Sequence, residues 1–174
     1  MQTSKPLSFC GGARLTRFLP LHLEQLSMPP LSTTALKHAL IGEGFEVYRT
    51  LGTRVVLAER VRENLIMDSG VAAVTDERLA VRLTFRAQKS DFPGESDDQI
   101  HDRARQQGAP AAARGYAEVE QVIVPMPDPS DKSRTLETWY EVAFEKTVQD
   151  QVCLFEELRY ALAIEKTATP SRRP

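Results

Sequence analysis

Two cysteines in 174 residues, Cys10 and Cys153, lie too far apart in setting to form a staple, one in an N-terminal stretch and the other inside a helical pattern. A disulfide framework is therefore not expected, and a reducing cytoplasm is the expected compartment. Long apolar runs are also missing. The longest stretches, such as Val55 to Ala58 and Val71 to Val74, fall far below the roughly 20 residues that a bilayer-spanning helix needs, so no membrane span is expected. The chain has only three histidines, His22, His38 and His101, and neither their spacing nor that of the cysteines makes a metal site. The glycines, including Gly11-Gly12, lack the lysine-serine ending and the strand-to-helix setting of a phosphate cradle. No cofactor is expected. A net charge of -2 leaves no whole-molecule attraction to nucleic acid or an anionic membrane, so any basic surface must be local.

The chain divides unevenly. Residues 1–31 begin with Lys5, Arg14 and Arg17 against Glu24 alone, and Pro20 and His22 break the apolar residues between Phe18 and Leu26. A secretory signal is not expected. It has some character of an Arg-bearing transit sequence, but reads best as a disordered tail or a translated leader upstream of a start at Met28. Residues 167–174 form a second tail. Without the three basic and one acidic residue before Met28 and the two arginines of the final tail, 17 basic face 23 acidic residues, and a single acidic domain is expected over residues 32–166.

Within that domain, Arg78 to Gln88 is the clearest pattern. Leu79, Val81, Leu83, Phe85 and Ala87 alternate with Arg78, Ala80, Arg82, Thr84, Arg86 and Gln88, the period-2 mark of a strand with an apolar inner row and a basic outer row. Before it, Ser32 or Thr33 caps a short helix carrying Leu36, Ala39 and Leu40. Phe45 to Gln88 then reads as an antiparallel meander of about three strands, with turns expected at Gly52 and at Asp68-Ser69-Gly70. Ser96 and Gln99 form a capping box for a weakly apolar helix over Asp97 to Gln107, expected on the surface. Two more strands follow. Val119 to Val124 is the first, and Leu136 to Glu145 the second, with Thr138, Tyr140, Val142 and Phe144 on one face and Glu137, Trp139, Glu141 and Glu145 on the other. Thr147 and Asp150 open the last helix, with Val148, Val152, Phe155, Leu158 and Leu162, together with Leu154 and Ala161, as its broad apolar stripe.

The order α-βββ-α-ββ-α implies an α+β fold: one twisted, mainly antiparallel sheet of about five strands with helices on one face. In element order, from Thr33–Leu40 through Val148–Ile164, the chain resembles the type III secretion chaperones and the related bacterial family described as sensory transduction regulators. That resemblance implies a small protein-binding fold and a homodimer.

The candidate site is the outer row Arg78, Arg82 and Arg86 with Trp139, as a surface for another protein. Glutamates at 118, 120, 137, 141 and 145 are expected to pair with the arginines across that face, each pair stabilising by roughly 0.2–1 kcal/mol. The expected function is a non-enzymatic binding module, chaperone-like or a regulatory adaptor. Two other classes stay open: an enzyme whose Cys153, His101 or acidic loop (Asp91, Glu95, Asp97, Asp98) converge only in three dimensions, and nucleic-acid binding by an unpaired arginine row.

Overall fold

The structure, a computed structural model, describes residues 31–168. The expected tail 1–31, with Met28, Cys10 and His22, lies outside the described residues except for Leu31. The chain runs α1 (Thr33–Gly42), β1 (Val47–Leu51), β2 (Arg54–Arg62), β3 (Leu65–Thr75), β4 (Leu79–Gln88), α2 (Asp97–Gln107), α3 (Ala109–Ala113), β5 (Ala117–Pro127), β6 (Thr135–Thr147) and α4 (Gln151–Ala168). The strands form one antiparallel sheet in the order β1-β2-β3-β4-β6-β5. The class is α+β, with six strands where about five were expected. The extra strand comes from the meander, which holds four strands: β1 and β2 meet at the expected Gly52 turn, where φ +56° favours glycine, and β2 and β3 at a reversal before Leu65 that was not expected.

The β4 alternation sets the inner face. Val81, Leu83 and Phe85 are buried, and register places Leu83 opposite Phe144 and Phe85 opposite Val142 of β6. Phe85 meets the edge of the Phe144 ring at 5.8 Å between centroids, a favoured aromatic geometry. Leu36 and Leu40 of α1, Ile100 and Ala104 of α2, Ala111 of α3, and Leu154, Leu158 and Ala161 of α4 close the core from the same side. Each such large side chain contributes about 1.5–3 kcal/mol by leaving water. The weak helix α2 is thus anchored by its two apolar positions, and its Ser96–Gln99 capping box forms as expected.

Several local expectations need correction. Asp68-Ser69-Gly70 is not a turn. It is a bulge inside β3, where the five residues from Asp68 to Ala72 span the three from Val56 to Ala58. Gly70 takes φ +75°, the Asp68 carboxylate accepts the Gly70 N–H at 2.9 Å, and the Ser69 hydroxyl donates to the Leu57 carbonyl at 3.0 Å. Bulges and turns ask for the same residues, which explains the misreading. The reversal falls instead at Glu63-Asn64, between paired Arg62 and Leu65. Thr147 ends β6 opposite Ala80, and Asp150 caps α4 by accepting the Cys153 N–H at 2.8 Å. Val152 faces solvent, because Leu154, Leu158 and Ala161 take the core-facing stripe. α4 continues to Ala168, into the stretch read as a tail. Among the described residues no helix is long and apolar enough to cross a membrane.

Gly108, at the joint of α2 and α3, sits against the Phe144 ring so closely that a Cβ there would stand 2.3 Å from it. Since Phe144 is itself held by Phe85, the ring has little room to yield. Gly108→Ala is expected to destabilise the fold by about 1–3 kcal/mol in urea unfolding, while the same change at Gly42, where a Cβ meets nothing within 4 Å, is not.

Candidate functional site

The face opposite the core is built by the other half of each alternation. On β4 the even residues Ala80, Arg82, Thr84 and Arg86 point outward, and register sets Arg82 opposite Glu145, Thr84 opposite Ala143 and Arg86 opposite Glu141 of β6. Glu120 of β5 joins this face opposite Ala143. The expected pairing of arginines with glutamates across an outer sheet face is present. Arg82 bonds Glu120 and approaches Glu145 at 3.5 Å, and Arg86 donates to Glu141 at 2.6 Å. Arg82 is only 8% exposed despite lying on a face that no described helix covers, so its stem and guanidinium are held flat across the sheet.

The two outer strands nearest β3 extend the pattern. Asp68, raised by the bulge, lies 3.7 Å from Arg86 and 3.4 Å from Arg49 of β1. Arg49, Arg54, Arg82 and Arg86 surround a shallow depression of about 140 Å³ together with Asp68, Glu120 and Glu141, over a floor of small apolar residues such as Val56, Ala72 and Ala143. The acids tie Arg82 and Arg86 into the face. Arg54, on the β2 side, is the guanidinium of this group for which no carboxylate lies within ion-pair distance among the described residues.

Trp139 lies on this face as expected, opposite Gln88, with the Arg86 guanidinium 5.3 Å from its ring centroid. It is half-buried, so part of the indole stays open to a partner. Glu137, also expected to pair with the arginines, instead accepts from the Ser90 hydroxyl and N–H. Two assigned members of the row do not belong to it. Arg78 lies in the exposed turn between Thr75 and Leu79, because β4 begins one residue later than the alternation suggests. Glu118 turns to the helix side and pairs with Arg105 at 2.9 Å, since a register shift between Glu118 and Glu120 breaks the alternation. Arg49, Arg54 and Asp68 were not anticipated. Arg54 was visible in its alternation with Val55 and Leu57, whereas Asp68 was hidden by its resemblance to a turn residue.

Of the groups weighed for catalysis, His101 and Asp97 share Tyr140 as a neighbour, whereas Cys153 lies on a different helix. Cys153 sits half-buried in the first turn of α4, while His101 packs edge-on against Tyr140 with ring centroids 5.1 Å apart. Of the acidic loop, Glu95 bonds Arg103 at 2.8 Å, and Asp97 accepts from Tyr140 at 2.6 Å and Lys89 at 3.2 Å. The Tyr140 bond, then the Lys89 bond, hold the Asp97 carboxyl below its ordinary range. Among the described residues no three His, Cys, Asp or Glu side chains gather as metal ligands.

A separate cluster, centred on the buried Glu157, lies between α3, α4 and β6. Burial works to raise the Glu157 carboxyl, but hydrogen bonds from Arg114 at 2.7 Å and Lys146 at 3.1 Å outweigh it and hold the group below its ordinary value. The stabilisation from a depressed carboxyl is complete above the unfolded value near 4.5 and is lost as pH falls through the lower folded value. Glu157→Gln should therefore lower stability at pH 7, with the gap to the unaltered protein narrowing below about pH 4.5 in urea titrations at stepped pH. On the outer face, a double-mutant cycle between Arg86 and Glu141 should give a coupling of about 0.5–1 kcal/mol, because both groups remain partly exposed. Compared with known protein families, curated proteins and solved structures, the chain finds no match.

Proposed function

We propose that this chain is a non-enzymatic protein-binding module, a chaperone-like or regulatory adaptor, that receives its partner on the outer face of the sheet. One observation carries the reading: the ladder of arginines and carboxylates lies flat around a shallow, small-residue depression that no described helix covers. A face of this form offers shape and alternating charge over a broad area, which suits a protein surface better than the enclosed pocket of a small-molecule enzyme. Arg54 and Arg49 bias the β2 side towards an acidic group on the partner, and the open part of Trp139 supplies an aromatic anchor at the other end. Pairing of Arg82 and Arg86 with Glu120, Glu145 and Glu141 weighs against nucleic acid, since a phosphate backbone would have to displace those carboxylates. A cytoplasmic setting and a homodimeric state belong to the same proposal.

Affinity capture from an extract of the source cell tests it, using the unaltered chain, the Arg54→Glu/Trp139→Ala double variant, and Leu136→Ser at an exposed position that does not line the depression. One stoichiometric protein, held by the first and third baits and reduced at least about tenfold on the second, is the expected result. Equal recovery by all three baits, or capture of nucleic acid or a metabolite instead, overturns the reading.

A further inference from the structure

The margins of the sheet are protected unequally. β5, at one edge, carries Glu118, Glu120, a register break at Val119, and Pro125 and Pro127, all features that discourage another strand from adding there. β1, at the other edge, is only five residues long and bears Arg49. A third margin lies within the outline of the sheet. β3 pairs with β4 only between Val71 and Thr75, so the stretch from Leu65 to Gly70 has no β4 residue opposite it.

This stretch and the end of β2 form a two-stranded arm that leaves the β4 ladder at Val71. Its β2 strand carries Glu59, Arg60 and Arg62, whereas its β3 strand is apolar where an exposed margin is usually charged. Val61, Leu65, Ile66 and Met67 are each 44–50% exposed, and Leu65-Ile66-Met67 contains neither charge nor proline. At its base, the N–H groups of Gly70 and Val71 are taken by Asp68 and Ser69 side chains, which limits the available backbone to the segment before the bulge. Arg60, opposite Ile66 on β2, is drawn away by Glu46 at 2.7 Å and by the Glu63 carbonyl at 3.0 Å.

We infer that this arm is a self-association surface on which two copies of the chain pair antiparallel through Leu65–Met67, about a two-fold axis at Ile66. The sequence is self-complementary in that register. Ile66 meets its own counterpart, Leu65 meets Met67 of the second copy, and Asn64 meets Asp68, so no like charges face each other. A second copy thereby covers the exposed apolar residues of both arms with one contact. The small area of the segment implies a reversible dimer with a dissociation constant of about 10 µM to about 1 mM. This inference rests on the homodimeric part of the proposed function and gives it a place in the fold; the arm is no part of the Arg54–Trp139 surface, so partner capture and self-association can fail independently.

Sedimentation equilibrium of the full chain up to about 1 mM, with Ile66→Lys beside it, provides the test, and thermal melts by circular dichroism report whether the variant is folded. The expected result is concentration-dependent doubling of mass in the unaltered chain and its loss, by at least about tenfold in dissociation constant, in a folded Ile66→Lys. Opposed Cα atoms in such a pair lie about 4.5–5.5 Å apart, within disulfide reach. Ile66→Cys, in a background carrying Cys10→Ser and Cys153→Ser, should therefore cross-link on mild oxidation well beyond Leu136→Cys in the same background. This second measurement decides the matter if Ile66→Lys fails to fold. A monomer at all concentrations, a dimer untouched by a folded Ile66→Lys, or cross-linking no better than the Leu136→Cys control would each overturn the inference.

Discussion

The pairing of β4 with β6 is the constraint on which the rest of the structure depends. It runs from Ala80–Thr147 to Gln88–Trp139 without a register break, and it does two things at once. Beneath the sheet it brings Phe85, Leu83, Val142 and Phe144 into one apolar layer that the helices cover. Above, it brings Arg82 to Glu145 and Arg86 to Glu141. A slip of one residue would exchange the two sets, placing arginines under α4 and leucines in water, so the cost of error is very high and the register is strongly specified.

That double use explains how a buried arginine is tolerated. Arg82 loses most of its contact with water but keeps two carboxylates within reach, Glu120 and Glu145, from two different strands. The carboxylates remain more exposed than the guanidinium, which reduces the desolvation penalty of the group as a whole. Across the same face Asp68 serves Arg86 and Arg49 together, linking the β1-β2-β3 side to β4 through side chains at a place where the backbone ladder is absent.

Much of the architecture was legible because strand period and inner-face apolarity agree on β4 and β6. Leu79 to Ala87 and Thr138 to Phe144 point where their alternation says they should. Helix α2 was legible through its capping box, although two buried residues anchor it more firmly than its composition suggests. Legibility failed where one local chemistry serves two structures. Asp68-Ser69-Gly70 satisfies a bulge as readily as a turn, while Glu63-Asn64, lacking glycine or proline, reverses the chain without announcing it. Val152 fits the broad stripe of the last helix, yet packing uses only the part of it around Leu154, Leu158 and Ala161 and leaves Val152 in water. For the candidate site, Arg82, Arg86 and Trp139 could be read from alternation alone. Arg49 and Asp68 could not, because their membership depends on strands brought together across the bulge.

The bulge has one more consequence. With β3 and β4 joined over five residue pairs and β4 and β6 over nine, the sheet is two leaves sharing a short spine rather than a single plate. Force applied to the leaf formed by β1, β2 and β3 is borne by that short spine, by the Asp68–Arg86 ion pair across the gap beyond Val71–Leu83, and by α4, which packs on both β3 and β4. Hinging between the leaves is thus resisted by the helix layer beneath the sheet as much as by the ladder, and the gap, not the rim, is where the ladder gives least support.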